Sequence, residues 1–132
     1  MTLVDTNVLL DVATDDPVWA EWSIHHLDAA AVAGPLAINP VVYAEVSVGY
    51  ERIEALDAVL ADIGIGMEDI PRPALFLAGK AFRAYRSKGG ARTSVLPDFF
   101  IGAHAAVLNR PLLTRDARRY RTYFPSITLI AP

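Results

Sequence analysis

Met1-Thr2-Leu3-Val4-Asp5-Thr6-Asn7 is the stretch that decides the fold. An apolar stub, Leu3-Val4, stops at a carboxylate, and Asn7-Val8-Leu9-Leu10-Asp11-Val12-Ala13 then reads as a short helix. A strand that ends in Asp is how an open α/β sheet presents a ligand group at its carboxyl edge. Asp is also a preferred helix cap. This stretch alone leaves both readings open.

Working outward, the rest of the chain alternates in the same way. Asp15-Asp16-Pro17 reads as a helix start, with the helix over about Val18 to Val32, ended by Gly34-Pro35. Leu36-Ala37-Ile38 reads as a short strand. Asn39-Pro40 caps a helix over Val41 to Tyr50. Arg52 to Ile63 has its apolar residues at helical spacing. A loop over Gly64 to Ile70, with room for a short strand, precedes a helix over about Pro73 to Ser87. Lys88 to Arg92 is a basic loop, and Pro97 starts a helix that runs to Leu108. Leu112-Leu113-Thr114 is a strand, Ala117 to Tyr123 a short basic helix, and Ile127 to Ile130 the last strand. Strands alternating with helices predict an α/β fold with a mainly parallel sheet, in a single domain over residues 1–132.

Composition narrows the function classes. The 132 residues are 53% apolar, which fits a packed core and excludes a disordered chain. No apolar run reaches the ~18 residues of a membrane span, and no basic segment precedes the first apolar stub. The absence of cysteine excludes disulfides and zinc–thiolate sites and fits a cytoplasmic location. The net charge of −3 conceals an asymmetry. Residues 1–69 hold 13 acids and one base, and residues 70–132 hold 11 bases and two acids. A basic half of this kind predicts a polyanionic partner. Its two acids are Asp98 and Asp116.

Four carboxylates need explanation. Asp5 ends the first strand. Glu45 has Val41, Val42, Val48 and Gly49 as its helical neighbours, so it sits on an apolar face where a bare charge is costly. Asp98 follows a first-turn proline, a place also favoured by the helix dipole. Gly102, Ala103, Ala105 and Ala106 would let its helix lie close to the sheet, or serve packing alone. Asp116 repeats the opening pattern of strand, acid, helix. Two strand-end acids in a parallel sheet share one edge, so the four can converge. Clustered carboxylates repel, and a divalent cation relieves that repulsion. Oxygen ligands without His or Cys spacing favour Mg²⁺ or Mn²⁺, whose usual work is phosphoryl chemistry.

The sequence resembles the PIN-domain ribonucleases, and within them the VapC-like toxins of type II toxin–antitoxin pairs. The matching residues are Val4-Asp5-Thr6-Asn7, Glu45, Leu96-Pro97-Asp98-Phe99-Phe100-Ile101-Gly102-Ala103-His104-Ala105 and Leu112-Leu113-Thr114-Arg115-Asp116. The resemblance implies a three-layer α/β/α PIN-like fold and a Mg²⁺-dependent endoribonuclease. It implies that Asp5, Glu45, Asp98 and Asp116 form the catalytic metal site, supported by hydrogen bonds from Asn7 and Thr114. It also implies a homodimer and a small cognate antitoxin. Thr6 is assigned no role. Arg115, the base beside Asp116, is a candidate for touching RNA or placing that acid. His104 lies off the Asp98 face of its helix and reads as a surface or packing histidine, His25 and His26 show no metal-ligand pattern, and Asp11 reads as a cap or solvated residue.

Two other readings compete. A phosphatase of the haloacid-dehalogenase type needs a second Asp two residues after the first, where this chain has Asn7. A module that holds RNA without cutting it fits the charge asymmetry but not the set of acids, which repel phosphate unless a metal intervenes.

Overall fold

The computed structural model describes residues Met1–Pro132. Five strands form one sheet: β1 (Thr2–Val4), β2 (Leu36–Ile38), β3 (Ile65–Met67), β4 (Leu112–Leu113) and β5 (Leu129–Ile130). Their order is β3-β2-β1-β4-β5, and every pairing is parallel. Seven helices connect them: α1 (Thr6–Ala13), α2 (Ala20–Ala33), α3 (Pro40–Ser47), α4 (Ile53–Ile63), α5 (Arg72–Ser87), α6 (Leu96–Leu108) and α7 (Arg118–Tyr123). The right-handed crossover rule assigns α1–α4 to one face and α5–α7 to the other. This is the three-layer α/β/α arrangement that the sequence resemblance predicts. Strands that short are stable because both faces are covered: Leu3, Val4, Leu36, Ala37, Ile38, Leu112 and Leu113 are all buried in one core cluster.

The order of strands creates the site. From β1 the chain steps one way, to β2 and β3. It then returns across the sheet to β4 and β5. The strand order therefore reverses between β1 and β4, and ligands of open α/β sheets bind at the carboxyl ends of such a pair.

Local chemistry explains where the expected elements shift. The second helix starts at Ala20, not near Val18, because the Asp16 carboxylate accepts the Val18 and Trp19 N–H groups, each at 2.9 Å. These bonds hold a turn ahead of the helix. Gly64, at φ 82°, ends α4 in the left-handed conformation and sends the chain into β3 beside β2. Asn39 caps α3 as expected, its side chain accepting the Val42 N–H at 2.9 Å. Gly102 has a role other than closeness to the sheet. A Cβ there would lie 2.4 Å from the Phe124 ring, so the small residue admits the end of α7 against α6.

Candidate active site

Asp5 caps α1 and also stands at the carboxyl end of β1, beside the switch point. Its backbone is extended, and its Oδ1 accepts the Thr6 N–H at 2.7 Å. Its Oδ2 accepts three further bonds: the Thr114 hydroxyl at 2.8 Å, the Tyr120 hydroxyl at 2.9 Å and the Asn7 amide at 3.3 Å. The residue is only 4% exposed. Burial, and next the charge of Asp98, push its pKa up to about 6; the bonds from Thr114, Tyr120 and the Thr6 N–H act the other way.

Thr114 follows β4 directly, on the same sheet edge as Asp5. Its oxygen accepts the Asp116 N–H at 3.1 Å and the Asn7 amide at 3.3 Å. One buried hydroxyl thus ties together the ends of β1 and β4. Asn7 adds a second tie, its Oδ1 accepting the Arg115 N–H at 3.3 Å. Asp116 is exposed at the rim and does not cap α7.

Glu45 projects from α3, half-buried. A hydroxyl satisfies it where a cation was expected: Thr6 Oγ1 donates to its Oε1 at 2.6 Å. Thr6, passed over in the sequence, therefore holds Asp5 with its backbone and Glu45 with its side chain. Asp98, in the first turn of α6, forms an ion pair with Arg119 of α7. Burial raises the Asp98 pKa; Arg119 lowers it, and the charges of Glu45 and Asp116 raise it again. The field of Asp98 is thus felt together with that of each of the other three acids. Still, no three acidic or histidine side chains surround one point as a metal's ligands would.

Tyr120 was not legible in the sequence. It lies in α7, a helix whose pattern is dominated by bases, and its ring is buried. Burial and the Asp5 charge hold its phenol well above the ordinary range, so it stays a donor. Asp11 departs from expectation, with Arg115 as its partner. Asp11 is buried, accepting the Ser23 hydroxyl at 3.1 Å and the Arg115 guanidinium at 2.6 Å. Arg115 further lies over the Trp19 ring, 5.5 Å from its centre. It braces Asp11 while its own side chain stays partly exposed. His104 is fully buried, accepting from the Asn39 amide at 3.2 Å and donating to Glu68 at 3.0 Å. Burial lowers its pKa. Glu68 also pairs with Arg110. So Arg110, Arg115 and Arg119 each face an acid of the chain, while Arg118 and Arg121 are exposed.

A comparison with curated proteins finds no match. Among solved structures the chain is similar in fold to VapBC2 from Rickettsia felis bound to a promoter DNA fragment, at 21% identity and TM-score 0.75 over 99% of this chain and 98% of that one. It is similar to DNA-bound VapBC from Salmonella typhimurium, at 18% and 0.71 over 99% and 98%. It is also similar to FitAcB from Neisseria gonorrhoeae, at 17% and 0.68 over 98% and 96%. The PIN domain family model matches residues 2–125, and with the sheet order and the acid-bearing strand ends, this chain belongs to the PIN domain family.

Proposed function

We propose that this chain is a divalent-metal-dependent endoribonuclease, the toxin of a toxin–antitoxin pair, acting in the cytoplasm as a homodimer restrained by a small antitoxin. One observation carries the chemical part. Asp5 and Asp116 follow neighbouring parallel strands at the switch point and are tied together by the Thr114 hydroxyl, with arginine-lined surface beside them. The toxin part is supported by the fold's likeness to chains solved in VapBC and toxin–antitoxin complexes.

The donor set fits a hard cation: Asp5, Glu45, Asp98 and Asp116 offer only carboxylate oxygen. Mg²⁺ is the first candidate and Mn²⁺ the second; when bound, the ion supplies polarised water and charge neutralisation at the phosphate. The chain's own residues do the positioning. Thr6, Thr114 and Tyr120 fix the Asp5 carboxylate, and Thr6 orients Glu45. Asn7 ties the two strand ends together. Arg119 pairs with Asp98 Oδ2 and leaves its Oδ1 for a ligand.

Incubating purified, antitoxin-free protein with total RNA, with and without Mg²⁺, tests the reading; the ends of the fragments are then mapped. Metal-dependent cuts at reproducible positions support it. A second reading has one observation in its favour. No three carboxylates converge, which suits a module that holds RNA without cutting it. RNA binding that is indifferent to Mg²⁺, without fragments, would select that reading.

A further inference from the structure

Beside Asp116 lies a cleft of about 330 Å³, walled by Tyr85, Arg92, Arg118, Arg119 and Tyr123. Its volume falls within the range of small-ligand sites, about 300–1,000 Å³. The walls come from three places: α5, the basic loop after it, and α7. The loop is shaped to the aromatic wall. The Gly90 N–H donates to the Tyr85 carbonyl at 3.0 Å, and a Cβ on Gly90 would collide with the Tyr85 ring at 2.5 Å. The Arg92 N–H donates to the Tyr85 hydroxyl at 3.2 Å, setting that arginine at the rim. Tyr123 packs on Phe99 and meets Tyr85 edge-on, with ring centres 6.1 Å apart. The Lys88 ammonium, on an exposed side chain, lies 5.5 Å over the Tyr123 ring. Arg92 and Arg118 are exposed and pair with no acid.

Cations around aromatic rings are the chemistry that holds one unpaired nucleotide: phosphate on arginine, base on ring. We infer that this cleft is a subsite for the single-stranded nucleotide next to the phosphate that is cut, with Arg118 and Arg92 on its phosphate and Tyr123 against its base. The inference rests on the nuclease reading, because Asp116 joins the cleft to the acids. A duplex cannot offer a free base face, so the subsite selects unpaired RNA.

The test is equilibrium binding of a short labelled single-stranded RNA in Ca²⁺, with strand integrity checked on a gel. Tyr123→Leu keeps apolar packing on Phe99 and should weaken binding by about tenfold, whereas Tyr123→Phe should bind like the parent. Arg118→Gln, at an exposed position, should weaken binding and reduce the salt slope by about one. The matching duplex and a nucleoside 5′-monophosphate should both bind more weakly than the strand. Parental binding by both Tyr123→Leu and Arg118→Gln, in a protein that still cuts RNA with Mg²⁺, would overturn the subsite and leave the nuclease reading standing. A monophosphate that binds as tightly as the strand would also overturn it. A parent that neither binds nor cuts RNA would overturn both.

Discussion

The Tyr120 hydroxyl donates to Asp5 Oδ2 across 2.9 Å, joining α7 to the end of β1 inside the buried core. The bond favours the ionised carboxyl, against burial that disfavours it. Tyr120→Phe removes the donor and leaves the ring packing intact. The Asp5 pKa should then rise beyond about 6, with a stability loss near neutral pH of about 1.5–3 kcal/mol, the usual worth of a bond to a charged group. Carbon-detected NMR titration of the Asp5 carboxyl and urea unfolding check the two parts. An unmoved titration would show that the bond does not form in solution.

Raising the Asp5 pKa to about 6 has a definite sign in stability. The group's contribution is fully present below pH 4, its unfolded range, and is lost as pH rises through about 6. In chelator-treated protein this loss should reach on the order of 3 kcal/mol by pH 7.5. Asp5→Asn cannot ionise, so urea midpoints of variant and parent should diverge in the variant's favour between pH 4 and 7.5. Adding Mg²⁺ should stabilise the parent at pH 7.5 and leave Asp5→Asn unmoved. A pH-independent difference would mean that Asp5 does not feel burial and Asp98 as described.

Arg115 and Asp11 form an internal pair, Asp11 buried and Arg115 partly exposed. Arg115→Ala leaves a buried carboxylate without its partner and should cost about 1–3 kcal/mol, below the cost for a fully buried pair because the arginine meets solvent. Adding Asp11→Asn should recover part of that loss, a coupling that a double-mutant cycle reads directly. If Arg115→Ala kept full stability and only weakened RNA binding, Arg115 would be a substrate contact.

Gly102 faces the Phe124 ring with no room for a methyl group. Gly102→Ala should destabilise by about 1–3 kcal/mol through overpacking. Phe124→Leu in the same chain should relieve part of the cost, read by thermal unfolding of the four proteins. A stable Gly102→Ala protein would show that α7 has freedom to shift.

The parallel α/β fold was legible because its signals are local: apolar runs of two to four residues, Asp or Asn caps, and prolines in first turns. Asp5 was legible because a strand that ends in a polar group marks the carboxyl edge of a sheet, whereas Asn7 and Thr114 were named only through the family resemblance. Tyr120 was not, because its partner lies 115 residues away and its own helix reads only as basic. Thr6 was missed because a small hydroxyl after a cap has no pattern of its own, although it holds two of the acids. Asp11, read as a cap or solvated residue, is buried, and its burial and the pairings of Arg110, Arg115 and Arg119 were hidden for one reason. Net charge along a segment does not reveal which charges pair across the fold, and here acids from both halves meet bases only in three dimensions.

Asp98 decides the central claim. Asn keeps the side chain's shape at the start of α6, so a folded Asp98→Asn protein isolates the charge. Arg119 then loses its partner, which circular dichroism and urea unfolding control for. The deciding measurement is the rate of RNA cleavage by parent and Asp98→Asn across a Mg²⁺ titration. The account predicts metal-dependent cleavage by the parent, and for the variant a shift to higher Mg²⁺ with a rate lower by at least about a hundredfold, roughly 3 kcal/mol of lost transition-state stabilisation. A folded variant that cuts RNA at the parental rate and the parental Mg²⁺ concentration would contradict it.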